Sequence, residues 1–326
     1  MYCLGIDTSC YTTSLAAVNE ALELTYEGRI ILDVPFGARG LRQSDAFYQH
    51  IGNISILMEQ CMKSIDQGSI KGIAVSTRPR SAEDSYMPVF TAGFHTAKTI
   101  SLLLKLPIIE VSHQDSHIEA GLWSSKCEMK PVFLAYHISG GTTELMLVHN
   151  QEPMVIDEIG GSSDLNAGQF IDRAGVAMGM KFPCGQEMDK LCSEYETKGI
   201  EIPISIDGSF LSFSGPETHV QRMIKGKTLD KRKMADISMG VFLCIAKSIE
   251  KTAINAKRNY SIGELLLVGG VASNARIKDY LINSGKLKKN GIEPVFADAR
   301  YSPDNAVGTA VLGVKRLTHN IKEVRY

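Results

Sequence analysis

An α/β fold of two related lobes around a cleft is the architecture this chain predicts. A strand–turn–strand hairpin opens the sequence and returns about 130 residues later, each copy followed by amphipathic helices. At 326 residues the chain is long for one core and sufficient for two packed lobes.

The elements read in order. Residues 2–6 form a strand, residues 7–12 a polar turn, and residues 14–18 a second strand. Phe47, Ile51, Ile54, Met58 and Cys61 recur at intervals of four and three, a helical period. Residues 72–76 are a short strand, and Phe90, Phe94, Ala97 and Leu104 outline the next helix. Residues 108–111 are a strand leading into a helix that carries His113 and His117. The hairpin returns as strand 132–138, turn 139–143 and strand 144–148. Helices are expected over 169–178, 187–194 and 231–257, then strand 265–268, a Gly-Gly turn and a further helix. Strand 294–296 and a helix opened by Asp304, running to about 317, end the pattern. The lobes are expected at 1–125 and 126–303, with 304–326 packing back on the first.

Composition narrows the class. With 44% hydrophobic and 22% charged residues this reads as an ordinary globular chain. No apolar run approaches the ~18 residues of a membrane span, and Asp7 interrupts the amino terminus before a signal-like stretch could form. The seven cysteines, Cys3, Cys10, Cys61, Cys127, Cys184, Cys192 and Cys244, are odd in number and never spaced CxxC. That pattern fits a reducing cytoplasm, without a disulfide framework or a thiolate zinc site. A net charge of −1 gives no general pull toward nucleic acid. The local basic clusters at 225–233 and 286–289 are explained better by a solvated face than by a nucleic-acid site.

Two features carry chemistry. His113 and His117 are four residues apart, so on a helix both imidazoles face one spot, as a shared zinc, iron or nickel ion requires. Asp304 could complete such a set; the plainer reading is two polar residues on a solvated face and an aspartate capping a helix. The second feature is a group of small-residue turns. Asp7-Thr8-Ser9 and Ser139-Gly140-Gly141-Thr142-Thr143 let backbone N–H groups and hydroxyls approach an anion. Facing across a cleft, they would grip a phosphate chain, while Gly269-Gly270 would offer a flat wall for an adenine ring. Neither a P-loop nor a dinucleotide-binding glycine motif is present.

The order of these turns resembles the actin-like ATPase superfamily that includes sugar kinases. Within it the chain is similar to the TsaD family (also called Gcp, or Kae in archaea and eukaryotes), which helps make threonylcarbamoyladenosine in tRNA. The resemblance runs from Gly5 to Gly313 and rests on collinear blocks: GIDTSCYTTSLAAV (5–18), HQDSH (113–117), HISGGTTELMLV (137–148), NAGQFIDRAG (166–175), FPCGQEMDKL (182–191), LSFSG (211–215), LLLVGGVASN (265–274) and SPDNA (302–306). It implies two actin-like lobes, each an RNase H-like mixed sheet with flanking helices. It also implies a divalent metal, iron or zinc, on His113, His117 and Asp304. His137 stands where some members have a tyrosine ligand and is the candidate fourth ligand. Adenine-nucleotide contacts fall on Asp172, Gly185, Asp189 and Asn274, beside Ser139, Gly140, Gly141, Thr142, Gly269 and Gly270. Asp7 and Ser9 in the first hairpin are the candidate catalytic residues.

Four positions depart from the family pattern. Tyr11 and Thr12 replace an Asp-Glu pair, and Arg78-Pro79-Arg80 replaces a Gly-Pro-Gly turn, with an altered flank at 82–87. Pro216 and Glu217 replace a leucine and a lysine, and Ser116 replaces the glycine of the histidine motif. The resemblance implies a bound adenine nucleotide, ATP or threonylcarbamoyl-adenylate, and metal-assisted transfer of threonylcarbamoyl from its adenylate to a tRNA adenosine, with AMP released. It implies TsaB-like and TsaE-like partners or a homologous subunit, in a homodimer or heterodimer, in the cytoplasm. Two other readings stand beside it. Glu217 and the near-neutral charge favour carbamoyl-type transfer to a non-RNA acceptor. Tyr11 and Thr12 favour a non-catalytic nucleotide-binding paralogue that acts as a partner subunit.

Overall fold

The computed structural model describes residues 1–9, 11–34, 41–82 and 84–319; Cys10, and residue 83 of the 82–87 flank, lie outside these. The chain divides into two compact units, Met1–Lys126 with Arg300–Tyr326, and Cys127–Ala299.

The first unit holds a five-stranded sheet. Its elements are β1 (Tyr2–Asp7), β2 (Thr12–Asn19), β3 (Leu24–Ile31), α1 (Gln43–Met62), β4 (Ile70–Arg78), α2 (Phe90–Leu104), β5 (Ile108–Ser112), α3 (His113–Ser125) and the C-terminal helix Val307–Thr318. The strand order is β3-β2-β1-β4-β5. β1 to β3 form an antiparallel meander, whereas β4 and β5 run parallel to β1. Alternation along β1 divides the core: Leu4 and Ile6 pack with Leu15, Leu57, Cys61 and Ala97, whereas Cys3 faces Ala310, Val311 and Val314 of the C-terminal helix.

Two glycines set how closely that helix sits. A Cβ on Gly5 would meet Ala306 O at 2.5 Å, and one on Gly308 would meet Ser116 O at 1.9 Å. Backbone therefore touches backbone between the helix and both β1 and α3, which fixes the preceding residues, Asp304 among them, against α3. The expected helix start is corrected here. The helix begins at Val307, its N-cap is Ala306 with no side-chain cap, and Asp304 lies ahead of it. Asn305 Oδ1 accepts from Val307 N at 2.9 Å instead, which leaves the Asp304 carboxylate free to turn toward the histidines.

The helix over 43–62 buries a stripe that shares Ile54 and Cys61 with the one its periodicity suggested but is rotated from it. Ala46, His50, Ile54, Leu57 and Cys61 face inward, and Ile51 is 45% exposed. His50 is drawn in because its Nδ1 pairs with the buried hydroxyl of Thr13 at 2.8 Å.

The second unit repeats the plan with additions. It comprises β6 (Val132–Ile138), β7 (Thr143–His149), β8 (Val155–Ser162), α4 (Ala167–Ala177), α5 (Gly185–Tyr195), β9 (Ser205–Asp207), β10 (Phe210–Ser212), α6 (Ser214–Ile224), α7 (Lys231–Tyr260), β11 (Glu264–Val268), α8 (Ala275–Asn283), α9 (Gly285–Lys289) and β12 (Glu293–Phe296). The sheet order is β12-β11-β6-β7-β8-β10-β9. Here β6, β7 and β8 are the antiparallel meander and β11 and β12 run parallel to β6, matching the first unit strand for strand. The long helix α7 supplies the centre of this core through Val241, Phe242, Ile245, Ile249 and Ala253. No helix among the described residues is long and apolar enough to cross a membrane.

Candidate metal centre and nucleotide-binding turns

The helix α3 starts where the chain leaves β5. Ser112 caps it, accepting from Asp115 N at 3.0 Å while Asp115 accepts from Ser112 N, a reciprocal cap that fixes the first turn. His113 is therefore the first helical residue, and His117 lies one turn on, over it. Nε2 of His117 is 3.0 Å from Nε2 of His113 and 3.2 Å from Asp304 Oδ1, and His113 Nε2 is 3.6 Å from the same oxygen. The three ligand atoms lie within 4.8 Å of one another. Two imidazole nitrogens and one carboxylate oxygen, converging on one point within the first unit, are a donor set suited to iron or zinc.

Behind His113 stands Asp7, fully buried at the end of β1. Its Oδ2 is 2.8 Å from His113 Nδ1 and accepts from Ser76 Oγ at 2.7 Å, while Oδ1 accepts from Ser9 N at 2.8 Å. The hydrogen-bonded hydroxyls continue from Ser76 to Thr309 at 3.1 Å, and from Thr309 to Ser116 at 2.9 Å. A proton on Nδ1, donated to Asp7, leaves Nε2 as the lone-pair nitrogen aimed at Asp304 and His117. Ser116, which departs from the family's glycine, is used to anchor this relay. Ser9 Oγ is buried and has no hydrogen-bond partner among the described residues.

The electrostatics agree with the geometry. Burial would push the Asp7 carboxyl up, but the His113 charge and hydrogen bonds from His113, Ser9 and Ser76 hold it below the usual carboxylate range. Burial would lower His113, and the charge of Asp7 with the hydrogen bond His113 donates to Asp304 raises it well above the ordinary imidazole value. Asp304 is held well below its usual range, its burial outweighed by hydrogen bonds from His113 and His117. A cation belongs between these two carboxylates, and in the absence of a metal a proton on His113 serves.

In the second unit, the turn between β6 and β7 is closed by Ser139 N donating to Thr142 O at 2.8 Å. The start of α4 seats against it: Gly168 N donates to Ser139 O at 3.2 Å, Asn166 Nδ2 to Gly141 O at 2.8 Å, and Ala167 N to Thr143 Oγ1 at 2.9 Å. A Cβ on Gly168 would meet Gly140 Cα at 2.6 Å. Gly269, at φ +98°, turns the chain out of β11 beneath Ile138 O, which also accepts from Val271 N at 3.0 Å. Ser139, Gly140, Gly141 and Thr142 thus lie beside the Gly269-Gly270 turn.

The polar residues expected at the nucleotide are partly engaged. Asp172 Oδ1 accepts from Cys184 N at 2.7 Å, just ahead of Gly185, which opens α5; burial raises this carboxyl despite that bond. Asp189 Oδ1 accepts from Arg276 Nε at 3.2 Å, and Asn274 caps α8 by accepting from Arg276 N and Ile277 N, each at 3.1 Å. Arg276 therefore ties Asp189 to the end of the Gly-Gly turn. Sequence reasoning missed Arg276, Ser76 and Thr309. Asn166 and Gly168 stood inside a quoted block, but no spacing marked them.

Solved structures share this architecture. The activator of the 2-hydroxyisocaproyl-CoA dehydratase from Clostridium difficile is 14% identical, with 100% of both chains covered and a TM-score of 0.51. A ROK family glucokinase from Streptomyces griseus is 10% identical over 96% of this chain and 99% of its own, with a TM-score of 0.54. Such identities speak for fold alone, and they place the chain among proteins of the actin-like ATPase fold. Residues 35–311 match the family model of TsaD, tRNA N6-adenosine threonylcarbamoyltransferase, and the chain belongs to that family. Relatives bearing that name include those of Thermotoga neapolitana, 25% identical over 98% of this chain and 96% of the relative, and Clostridium novyi, 28% identical over 94% and 90%.

Proposed function

We propose that this chain transfers the threonylcarbamoyl group of threonylcarbamoyl-adenylate to a tRNA adenosine and releases AMP. The observation that carries the reading is the converged His113, His117 and Asp304 set, backed by Asp7, in a chain that matches the family over residues 35–311. His113 Nε2, His117 Nε2 and Asp304 would hold an iron or zinc ion, and the resemblance alone carries His137 as a further ligand. When bound, that ion supplies Lewis-acid polarisation of the carbamoyl carbonyl.

The remaining work belongs to the protein. Asp7 fixes the His113 ring and its tautomer, and the unpartnered Ser9 hydroxyl is a donor for a substrate oxygen. In the second unit the Ser139–Thr142 turn offers backbone N–H groups to the adenylate phosphate. Asp172 and Asp189 each keep Oδ2 for a ribose hydroxyl, and Gly185 leaves room for it. Gly269, Gly270 and Asn274 border the adenine. The adenosine N6 attacks the carbonyl carbon, an N–C bond forms, and the C–O bond to AMP breaks with its electron pair leaving on the phosphate. One proton departs from N6. Positioning and charge stabilisation account for such catalysis, so the loss of acidic residues at Tyr11 and Thr12 bears on rate more than on binding.

A non-RNA acceptor and a non-catalytic paralogue are less favoured, because the relatives above are named for tRNA transfer. TsaB-like and TsaE-like proteins, or a homologous subunit, in the cytoplasm complete the proposal. The test is reconstitution with purified threonylcarbamoyl-adenylate and unmodified tRNA, read by nucleoside mass spectrometry. Modified adenosine supports the reading; unmodified tRNA after complete reconstitution with partners overturns it.

A further inference from the structure

Arg78-Pro79-Arg80 puts side chains where the family pattern has a glycine turn, and one of them is left with an unmet need. Arg78 ends β4, and its Nε is buried without a hydrogen-bond partner. The guanidinium forms no ion pair or hydrogen bond with any described residue. Buried donors in native proteins are nearly always satisfied, and an arginine without an acceptor costs stability. It lines a cavity of about 440 Å³ in the first unit, together with Ser85, Tyr86 and Thr91.

The other groups at this cavity match the same need. Ser85 Oγ accepts from Arg80 N at 2.9 Å, so its own proton is available to a ligand. The Tyr86 hydroxyl has no partner among the described residues, and Tyr86 is 71% exposed, so it can close over an occupant. Glu110 stands at the wall but forms no ion pair with Arg78. The walls are anchored at the first turn of α3: Pro79 O accepts from Gln114 N at 3.0 Å, and Ser81 Oγ donates to Asp115 at 3.0 Å.

We propose that this cavity binds a small oxyanion, a carboxylate or phosphate group, held by the Arg78 guanidinium with the Ser85 and Tyr86 hydroxyls. The fork of arginine donors suits two oxygens of such a group at once. The site is separate from His113, His117 and Asp304, and does not depend on the transferase reading; its readout is binding rather than turnover.

Melting of the full chain is compared in sodium phosphate, sodium succinate and sodium chloride at equal ionic strength, with calorimetry on whichever anion stabilises. The wild type melts higher in at least one oxyanion than in chloride. Stabilisation by phosphate alone assigns a phosphate-bearing ligand, by succinate alone a carboxylate, and by both a site that reads charge. Arg78→Met weakens that anion at least about tenfold, the loss expected for a charged hydrogen bond, and Ser85→Ala weakens it several-fold. Both variants keep the wild-type metal content and, without anion, melt no lower than the wild type by more than a surface substitution would. A wild type indifferent to both oxyanions, or an Arg78→Met variant that responds as the wild type does, overturns the proposal.

Discussion

Asp7 Oδ2 lies 2.8 Å from Nδ1 of His113, at the junction of the first strand and the helix that follows β5. The strand thus delivers a buried carboxylate to the back of an imidazole that faces His117 and Asp304, while Ser76, Thr309 and Ser116 hold that carboxylate still. Asp7→Asn keeps the shape but can present an N–H to Nδ1, which favours the wrong tautomer. Metal affinity is expected to fall about 10–100-fold. Competition against a chromophoric chelator measures it, and an unchanged affinity removes Asp7 from the centre.

Gly308→Ala tests the close approach of the C-terminal helix. Its methyl would meet Ser116 O at 1.9 Å, so the helix must shift away from α3. The expected loss is at least about 1–3 kcal/mol in urea unfolding, with weaker metal retention because Asp304 moves with the helix. Gly270→Ala, with nothing within 4 Å of the added carbon, is the control and should cost far less.

At the proposed nucleotide contacts, Asp189→Ala should weaken binding of an adenine nucleotide by at least about 1 kcal/mol, the size of a lost hydrogen bond. Arg276→Ala is expected to weaken it too, because the Asp189 carboxylate loses its anchor. Calorimetry with AMP reads both; equal affinity for Asp189→Ala takes that residue out of the pocket.

Acid sensitivity has a local source at Asp164. Burial would raise its carboxyl, yet hydroxyls of Ser212 and Ser214 and amides of Leu165 and Phe213 hold it below the usual range. A carboxyl depressed in the folded state adds stability above its unfolded value near ~3.9, and that stability is lost as pH falls below it. Asp164→Asn should therefore be less stable than the wild type at neutral pH and the gap should narrow below about pH 4. Melting curves from pH 7 to 2.5 decide; a gap that does not change with pH would contradict the assignment.

The chain announced its fold where burial left a period behind. Both hairpins, β4, β5, β11 and the long α7 were legible because each buries a continuous apolar run or stripe. β3 was not, since Leu24–Ile31 is a half-buried edge strand carrying Glu27, Gly28 and Arg29. β9 and β10 are three residues each, too short for any alternation, and α6 opens on Ser214-Gly215-Pro216, which reads as a turn. The histidine pair was legible from its i, i+4 spacing. Its support was not: Ser76 and Thr309 are 233 residues apart, and only the fold joins them. Arg276 carried no signal in the sequence, and only the fold sets it against Asp189.

The most direct test of the central claim is a single-turnover transfer assay with threonylcarbamoyl-adenylate and unmodified tRNA, run on the wild type and on the His113→Ala, His117→Ala double variant. Modified adenosine and AMP are counted together, and bound metal is measured by elemental analysis. The account predicts equal amounts of both products from the wild type, and neither product nor metal from a double variant that remains folded. Equal turnover by the double variant, or AMP from the wild type without modified tRNA, would contradict it.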